Sequence, residues 1–302
     1  MFGAICGDTI GSTYEFDNTK DYGFELFPKG SSYTDDSVMT LAVAKWLLTD
    51  AEHTHGVLEK CMVELAEEYP CPVGGYGGMF REWLFRPRAL NGRNGSPVDG
   101  KRHPYGSWGN GSAMRASACG WFFDTLEETE RVAGISASIT HDHPEGIKGA
   151  QATAAAIYLA RIGKKKDKIK EYISSRYGYD LERSYEFLNR TYEWDSSCQG
   201  TVPEAIIAFL ESDDFEDAIR KAVSMGGDSD TLACITGGIA EAYYKGIPNH
   251  IAASVWSLLP EGLREIVLAV SEKTSYGFTD ALWCLLMDST SDCGDRTVIP
   301  HP

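Results

Sequence analysis

Apolar positions recur at helical spacing through most of the chain. In the stretch 36–49, Val38, Leu41, Ala42 and Trp46 form one apolar face with Lys45 near its edge. The same period predicts helices over 3–16, 36–49, 53–69, 110–123, 126–139, 144–162, 166–176, 180–193, 203–211, 213–224, 229–245, 249–258 and 261–272. Alternation with period two, the mark of half-buried strands, is scarce. The pattern predicts an all-α fold, a compact bundle of many short helices. No repeat or linker divides it, so 1–302 is expected to form a single domain, with the polar tail after Asp288 loosely ordered.

Glycine modifies this picture in two places. Gly3, Gly7 and Gly11 recur every four residues, a spacing that lets two helices approach closely. Between 74 and 111, Gly74, Gly75, Gly77, Gly78, Gly95, Gly100, Gly106, Gly109 and Gly111 are interspersed with Pro87, Pro97 and Pro104. A long irregular stretch inside a helical protein signals a functional loop or lid.

At 302 residues, with 43 % apolar and 24 % charged positions, the chain has an ordinary globular composition. Forty-four acids against 28 bases give a net charge of −16, which argues against a broad nucleic-acid surface and an anionic membrane partner. The eight cysteines include no C-x-x-C pair, so a zinc ribbon or redox dithiol is not expected, and buried thiols in a reducing compartment are. Met1–Asp8 lacks a basic n-region, and no apolar run approaches the roughly 20 residues of a spanning helix. The expected location is the cytoplasm.

Charge placement carries the chemistry. Thr34-Asp35-Asp36-Ser37 and Gly226-Gly227-Asp228-Ser229-Asp230-Thr231 each stand at a predicted helix start. Either alone is explained by capping and by the macrodipole. Together they crowd four carboxylates beyond what capping needs, and an oxygen-only set suits hard cations such as Mg²⁺, Mn²⁺ or Ca²⁺. Glu15, placed near the end of the first predicted helix, reads by itself as an ordinary exposed glutamate. Ser107-Trp108-Gly109-Asn110-Gly111-Ser112 precedes a helix of small residues, where backbone amides can take a phosphate or a sugar hydroxyl, or simply make a tight turn. Gly74-Gly75-Tyr76-Gly77-Gly78 matches neither a Rossmann fingerprint nor a P-loop. In Thr140-His141-Asp142-His143-Pro144, no third soft ligand is near, so capping and packing are favoured over zinc.

Taken in order, these segments resemble the ADP-ribosylglycohydrolase family, which includes the dinitrogenase reductase-activating glycohydrolase and the ADP-ribosylhydrolases. The resemblance rests on Gly3-Ala4-Ile5-Cys6-Gly7-Asp8 with Glu15, Tyr33–Ser37, Gly75–Phe80, Gly109–Arg115, Thr140-His141 and Gly226–Thr231. It implies a metal-dependent hydrolase that cleaves the glycosidic bond between ADP-ribose and an acceptor, an ADP-ribosylated protein or a related conjugate. It also implies a centre of two Mg²⁺ or Mn²⁺ ions, with Thr34, Asp35, Asp36, Asp228, Asp230 and Thr231 as ligands. Glu15 and Asp36 would be catalytic, Glu15 the first choice for moving the proton. Gly77, Gly78, Ser107, Gly109, Asn110, Gly111 and His141 would line the ADP-ribose cleft. Ser37 stands where the family often has Thr, and the hydroxyl is kept. The alternative is a non-catalytic ADP-ribose binder or a crystallin-like relative, which retention of both acidic clusters disfavours.

Overall fold

A computed structural model describes residues 1–86 and 101–274. The expectations that fall on Pro87, Gly95, Pro97 and Gly100, and on the tail after Asp288, lie outside the described residues. The helices are α1 (Phe2–Gly11), α2 (Asp35–Thr49), α3 (His55–Glu68), α4 (Gly78–Phe85), α5 (Gly111–Met114), α6 (Cys119–Phe122), α7 (Leu126–Ser138) and α8 (Pro144–Arg161). They continue as α9 (Lys166–Tyr177), α10 (Tyr185–Thr191), α11 (Cys198–Leu210), α12 (Phe215–Ser224), α13 (Ser229–Tyr244), α14 (Asn249–Leu258) and α15 (Glu261–Thr274). No strand forms among the described residues, and the fold is all-α as the periodicity predicts.

Every residue of α1 is buried, so this helix has no solvent face. It lies antiparallel against α13, and the glycine stripe sets the spacing. A Cβ at Gly3 would stand 2.4 Å from the Gly237 carbonyl oxygen, one at Gly7 1.9 Å from that of Ala233, and one at Gly11 2.5 Å from the Asp230 Cα. No side chain fits at these positions without prising the two backbones apart. The expected close packing is therefore present. Because the register runs from Gly3–Gly237 to Gly11–Asp230, the C-terminal end of α1 meets the N-terminal end of α13.

Several predicted boundaries move. The first helix stops at Gly11 rather than near position 16. Polar side chains offer the following backbone other partners: Ser12 Oγ donates to the Thr9 carbonyl, and Asn18 Nδ2 donates to the carbonyls of Tyr14 and Glu15. Glu15 thus sits in a loop beyond the helix. The expected helix over 110–123 is α5, a 3₁₀ turn at Arg115–Ala118, and α6. The one over 203–211 begins earlier, at Cys198, because Ser197 caps it by accepting from the Gly200 amide and Pro203 is accommodated inside. The stretch 180–193 narrows to α10, and α4 forms within the glycine-rich region that reads as irregular.

Candidate active site

Three helix ends meet at one point. The α1–α13 register brings Asp228 and Asp230 beside the loop that follows α1. The start of α2 is tied to α1 through Asp8, whose carboxylate accepts from the Thr34 amide (3.0 Å), the Thr34 hydroxyl (2.6 Å), the Ser37 amide (3.1 Å) and the Ser37 hydroxyl. Thr34 in turn caps α2 by accepting from the Asp36 amide at 3.1 Å. The positive ends of α2 and α13 both face the cluster and partly offset its charge.

The Glu15 loop is joined to the turn before α13 by an exposed side chain, Asn18. Asn18 accepts from the Gly227 amide at 2.7 Å and donates to the Gly227 carbonyl at 2.9 Å, while its amide also serves Tyr14 and Glu15. This two-point pairing joins the loop bearing Glu15 to the turn that precedes Asp228. That turn needs Gly226 and Gly227 at φ of 73° and 70°, where L side chains are strained. On the other side Gly74, at φ 75°, leaves room for the Glu15 carboxylate, since a Cβ there would lie 2.6 Å from Oε2.

One oxygen from each of Glu15, Asp228 and Asp230 falls within 4.8 Å of the others. Asp36 is buried, and its Oδ2 has no hydrogen-bond partner. Burial, then the charges of Asp228 and Asp8, pushes Glu15 up to about 8. Burial also raises Asp8 to about 6, against the pull of its four hydrogen bonds. Asp35, Asp36 and Asp230 are driven well above the usual carboxylate range by burial and then by neighbouring carboxylates, Asp8 foremost for Asp35 and Asp36 and Asp228 for Asp230. Such mutual elevation marks a carboxylate set with no compensating cationic side chain.

These carboxylates form one end of a cavity of about 400 Å³. Its other walls come from the glycine-rich stretch 74–80, from Ser107–Gly111 and from His141. The amide end of α4, at Gly77 and Gly78, has no side-chain cap, and a Cβ on either glycine would meet nothing within 4 Å. His141 is buried, and a chain of bonds fixes its orientation. Arg115 Nη2 donates to Thr140 Oγ1 at 2.9 Å, and Thr140 Oγ1 lies 2.7 Å from His141 Nδ1. Nδ1 faces the Thr140 hydroxyl and Nε2 faces Gly109 and Gly111; with the hydroxyl as donor, the ring carries its proton on Nε2. Burial, then the Arg115 charge, holds His141 well below its ordinary pKa, so it is a neutral donor.

Of the residues predicted from sequence, Glu15, Asp35, Asp36, Gly77, Gly78, Ser107, Gly109, Asn110, Gly111, His141, Asp228, Asp230 and Thr231 line this one cavity. Thr34 stands behind it, its hydroxyl engaged by Asp8 and the Asp36 amide. Two amides of the Ser107–Gly111 turn are already spent: Gly109 N–H donates to Ser107 Oγ and Asn110 N–H to the Ser196 carbonyl. The Asn110 side chain serves the acidic end instead, donating to Asp228 Oδ2 at 2.8 Å. His143 caps α8 by accepting from the Glu145 amide, consistent with the capping reading over zinc. Sequence reasoning gave no role to Asp8, Asn18, Gly74 or Arg115. Asp8 had a signal: it is the one charge on a helix otherwise apolar or small all round.

An ADP-ribosylglycohydrolase family model matches residues 1–276. The ADP-ribosylhydrolase ARH3 of Homo sapiens is 28 % identical over 310 residues, covering 81 % of this chain and 84 % of its own. A putative ADP-ribosyl glycohydrolase of Acanthamoeba polyphaga mimivirus is 26 % identical, with 85 % of this chain and 88 % of its own covered. Among solved structures, an ADP-ribosylglycohydrolase-related protein complex superposes with a TM-score of 0.64 at 23 % identity, over 90 % of this chain and 95 % of that one. The last likeness concerns the fold.

Proposed function

Because the chain belongs to the ADP-ribosylglycohydrolase family, we propose that it hydrolyses the bond between the anomeric ribose carbon of ADP-ribose and an acceptor. The observation that carries this reading is the division of one cavity into an acidic end and an end of neutral donors. Glu15, Asp228 and Asp230 gather oxygens within 4.8 Å at the first, and His141 with the uncapped start of α4 stands at the second.

The acidic end fits divalent cations. Its donors are oxygens only, a buried Asp36 oxygen lacks a partner, and the carboxylates raise one another's pKa. Two Mg²⁺ or Mn²⁺ ions would be held by Asp35, Asp36, Asp228, Asp230 and Thr231, with Thr34 contributing the remaining lone pair of its hydroxyl. When bound, such ions supply a Lewis-acidic centre that polarises hydroxyls and water.

The chain's own groups do the rest. Glu15, placed beside the acidic end by the Asn18 pairing and the space left at Gly74, is our choice for the acid at the leaving atom, and for the base once deprotonated. Asp36 is the second carboxylate at the reacting centre, where a flanking negative charge favours an oxocarbenium-like transition state. The N–H groups opening α4 and the His141 Nε2–H would take the diphosphate. The free thiols of Cys6, Cys61, Cys71, Cys119, Cys198 and Cys234 support a cytoplasmic location, and no helix among the described residues is long and apolar enough to cross a membrane.

The test pairs Asp36→Ala and Asp230→Ala with a chelator. Each substitution is expected to abolish both metal binding by calorimetry and ADP-ribose release, while far-UV dichroism is retained. Full turnover in excess chelator would overturn the metal-dependent reading.

A further inference from the structure

Beside Glu15 the cavity is rimmed by a pair of aromatic rings. Phe16 and Trp194 stack at 5.8 Å with their planes 19° apart, and both remain in water, 73 % and 48 % exposed. Large apolar side chains held together in solvent cost free energy unless something covers them. Trp194 is also shared with a second hollow of about 320 Å³ between α10 and α11, where Phe187 is 47 % exposed. Trp194 therefore borders both hollows, and the groove adjoins the rim of the cavity on its far side.

The groove's charge narrows what can lie in it. Its one arginine, Arg183, is ion-paired with Glu204 at 2.5 Å and contributes no free positive charge. Lys20, the cation close to Glu193, donates its ammonium to the carbonyls of Tyr192 and Met225. Glu193 and Asp195 leave the surface acidic, which repels a phosphodiester chain. A small acceptor leaving from Glu15 has no need of a groove extending past Trp194.

We propose that the Phe16–Trp194 rim and the groove behind it seat the polypeptide that carries the modification. On the hydrolase reading above, on which this inference rests, ADP-ribose fills the cavity and the modified side chain passes over the edge of the stacked ring pair. The flanking residues, apolar and basic, then lie along Phe187, Glu193 and Asp195.

The experiment uses two peptides carrying the same ADP-ribosylated residue, one flanked by Lys and Arg and one by Glu, together with free ADP-ribose and an aryl ADP-ribose conjugate. Binding is read by fluorescence anisotropy and turnover by ADP-ribose release. The basic peptide is expected to bind about tenfold more tightly than free ADP-ribose and than the acidic peptide. Glu193→Lys and Phe187→Ala are each expected to weaken it about tenfold while leaving turnover of the aryl conjugate unchanged. Trp194→Ala removes the preference between the two peptides. Equal binding of both peptides, equal effects of the variants on peptide and aryl conjugate, or tighter binding of an ADP-ribosylated nucleic-acid end would overturn the proposal. Absence of hydrolysis with these binding preferences intact would overturn the catalytic reading and leave the docking surface standing.

Discussion

Replacing Gly74 by alanine separates the geometry of Glu15 from the stability of the loop beside it. Gly74 and Gly75 share a left-handed φ, 75° and 76°. Alanine at either place carries the same left-handed strain, about 1–2 kcal/mol. In a chain of this size that lowers the melting temperature by a few degrees, at about 2–4 °C per kcal/mol. The two sites differ in what the new Cβ meets. At Gly75 there is nothing within 4 Å, whereas at Gly74 the Glu15 Oε2 is 2.6 Å away and ordinary contact begins near 3.4 Å. The carboxylate must retreat by about 0.8 Å, and a displacement near 1 Å at a reacting group is worth roughly 10²-fold in rate. The expected result is an equal loss of melting temperature in both variants, with a roughly 10²-fold loss of single-turnover ADP-ribose release in Gly74→Ala alone. Equal rates in the two variants would refute the assignment of Glu15 to the reacting centre.

Other outcomes follow from the same site. Asn18→Ala removes the pairing with Gly227 and should cost roughly 10-fold or more in turnover with little change in far-UV dichroism; faster hydrogen exchange over residues 12–20 checks that the loop is what has loosened. In chelator, the carboxylates whose folded pKa values are raised hold protons that the unfolded chain has released, so their contribution to stability is complete below about pH 4 and lost on passing upward through 6 for Asp8 and 8 for Glu15. The chelated protein should therefore melt lower at pH 8 than at pH 5, and added Mg²⁺ or Mn²⁺ should restore more at the higher pH; a flat melting profile in chelator would contradict the assigned elevations. Thr140→Val cuts the bond to His141 Nδ1, and nitrogen-15 spectra should show a mixture of imidazole tautomers where the native protein shows the Nε2–H form alone.

How much of this was readable in the sequence depended on whether the cause was local. Helices with a clear apolar pattern match within a residue or two, as with α14 and the start of α13, and with α2 and α7, which Thr34 and Thr125 also cap. The early start at Cys198 has a local cause, the Ser197 cap, whereas the overrun of the first helix has a distant one, the pairing of Asn18 with Gly227. Asn18 diverts the chain after Gly11, and nothing in residues 12–16 alone says so. The acidic clusters announced themselves by repelling charges that had no local excuse. Asp8 stands out as a lone charge on a helix of small and apolar residues, but its role depends on Thr34 and Ser37, 26 and 29 residues later. The tertiary use of Asn110, as a donor to Asp228 rather than through its backbone, was equally out of reach, since 118 residues separate the two.

The antiparallel contact between α1 and α13 also sets a timetable for synthesis. α1 leaves the ribosome well before the backbone of Gly237, Ala233 and Asp230, against which its glycine face packs. At about 5–20 residues per second, more than 200 residues take on the order of ten to fifty seconds to follow it. For that interval an apolar helix waits without its partner while Asp35 and Asp36 have nothing opposite them. The nascent chain is thus a natural client for a holdase, and a ribosome stalled before Asp228 would release a product that owns half a cavity and can bind nothing in it.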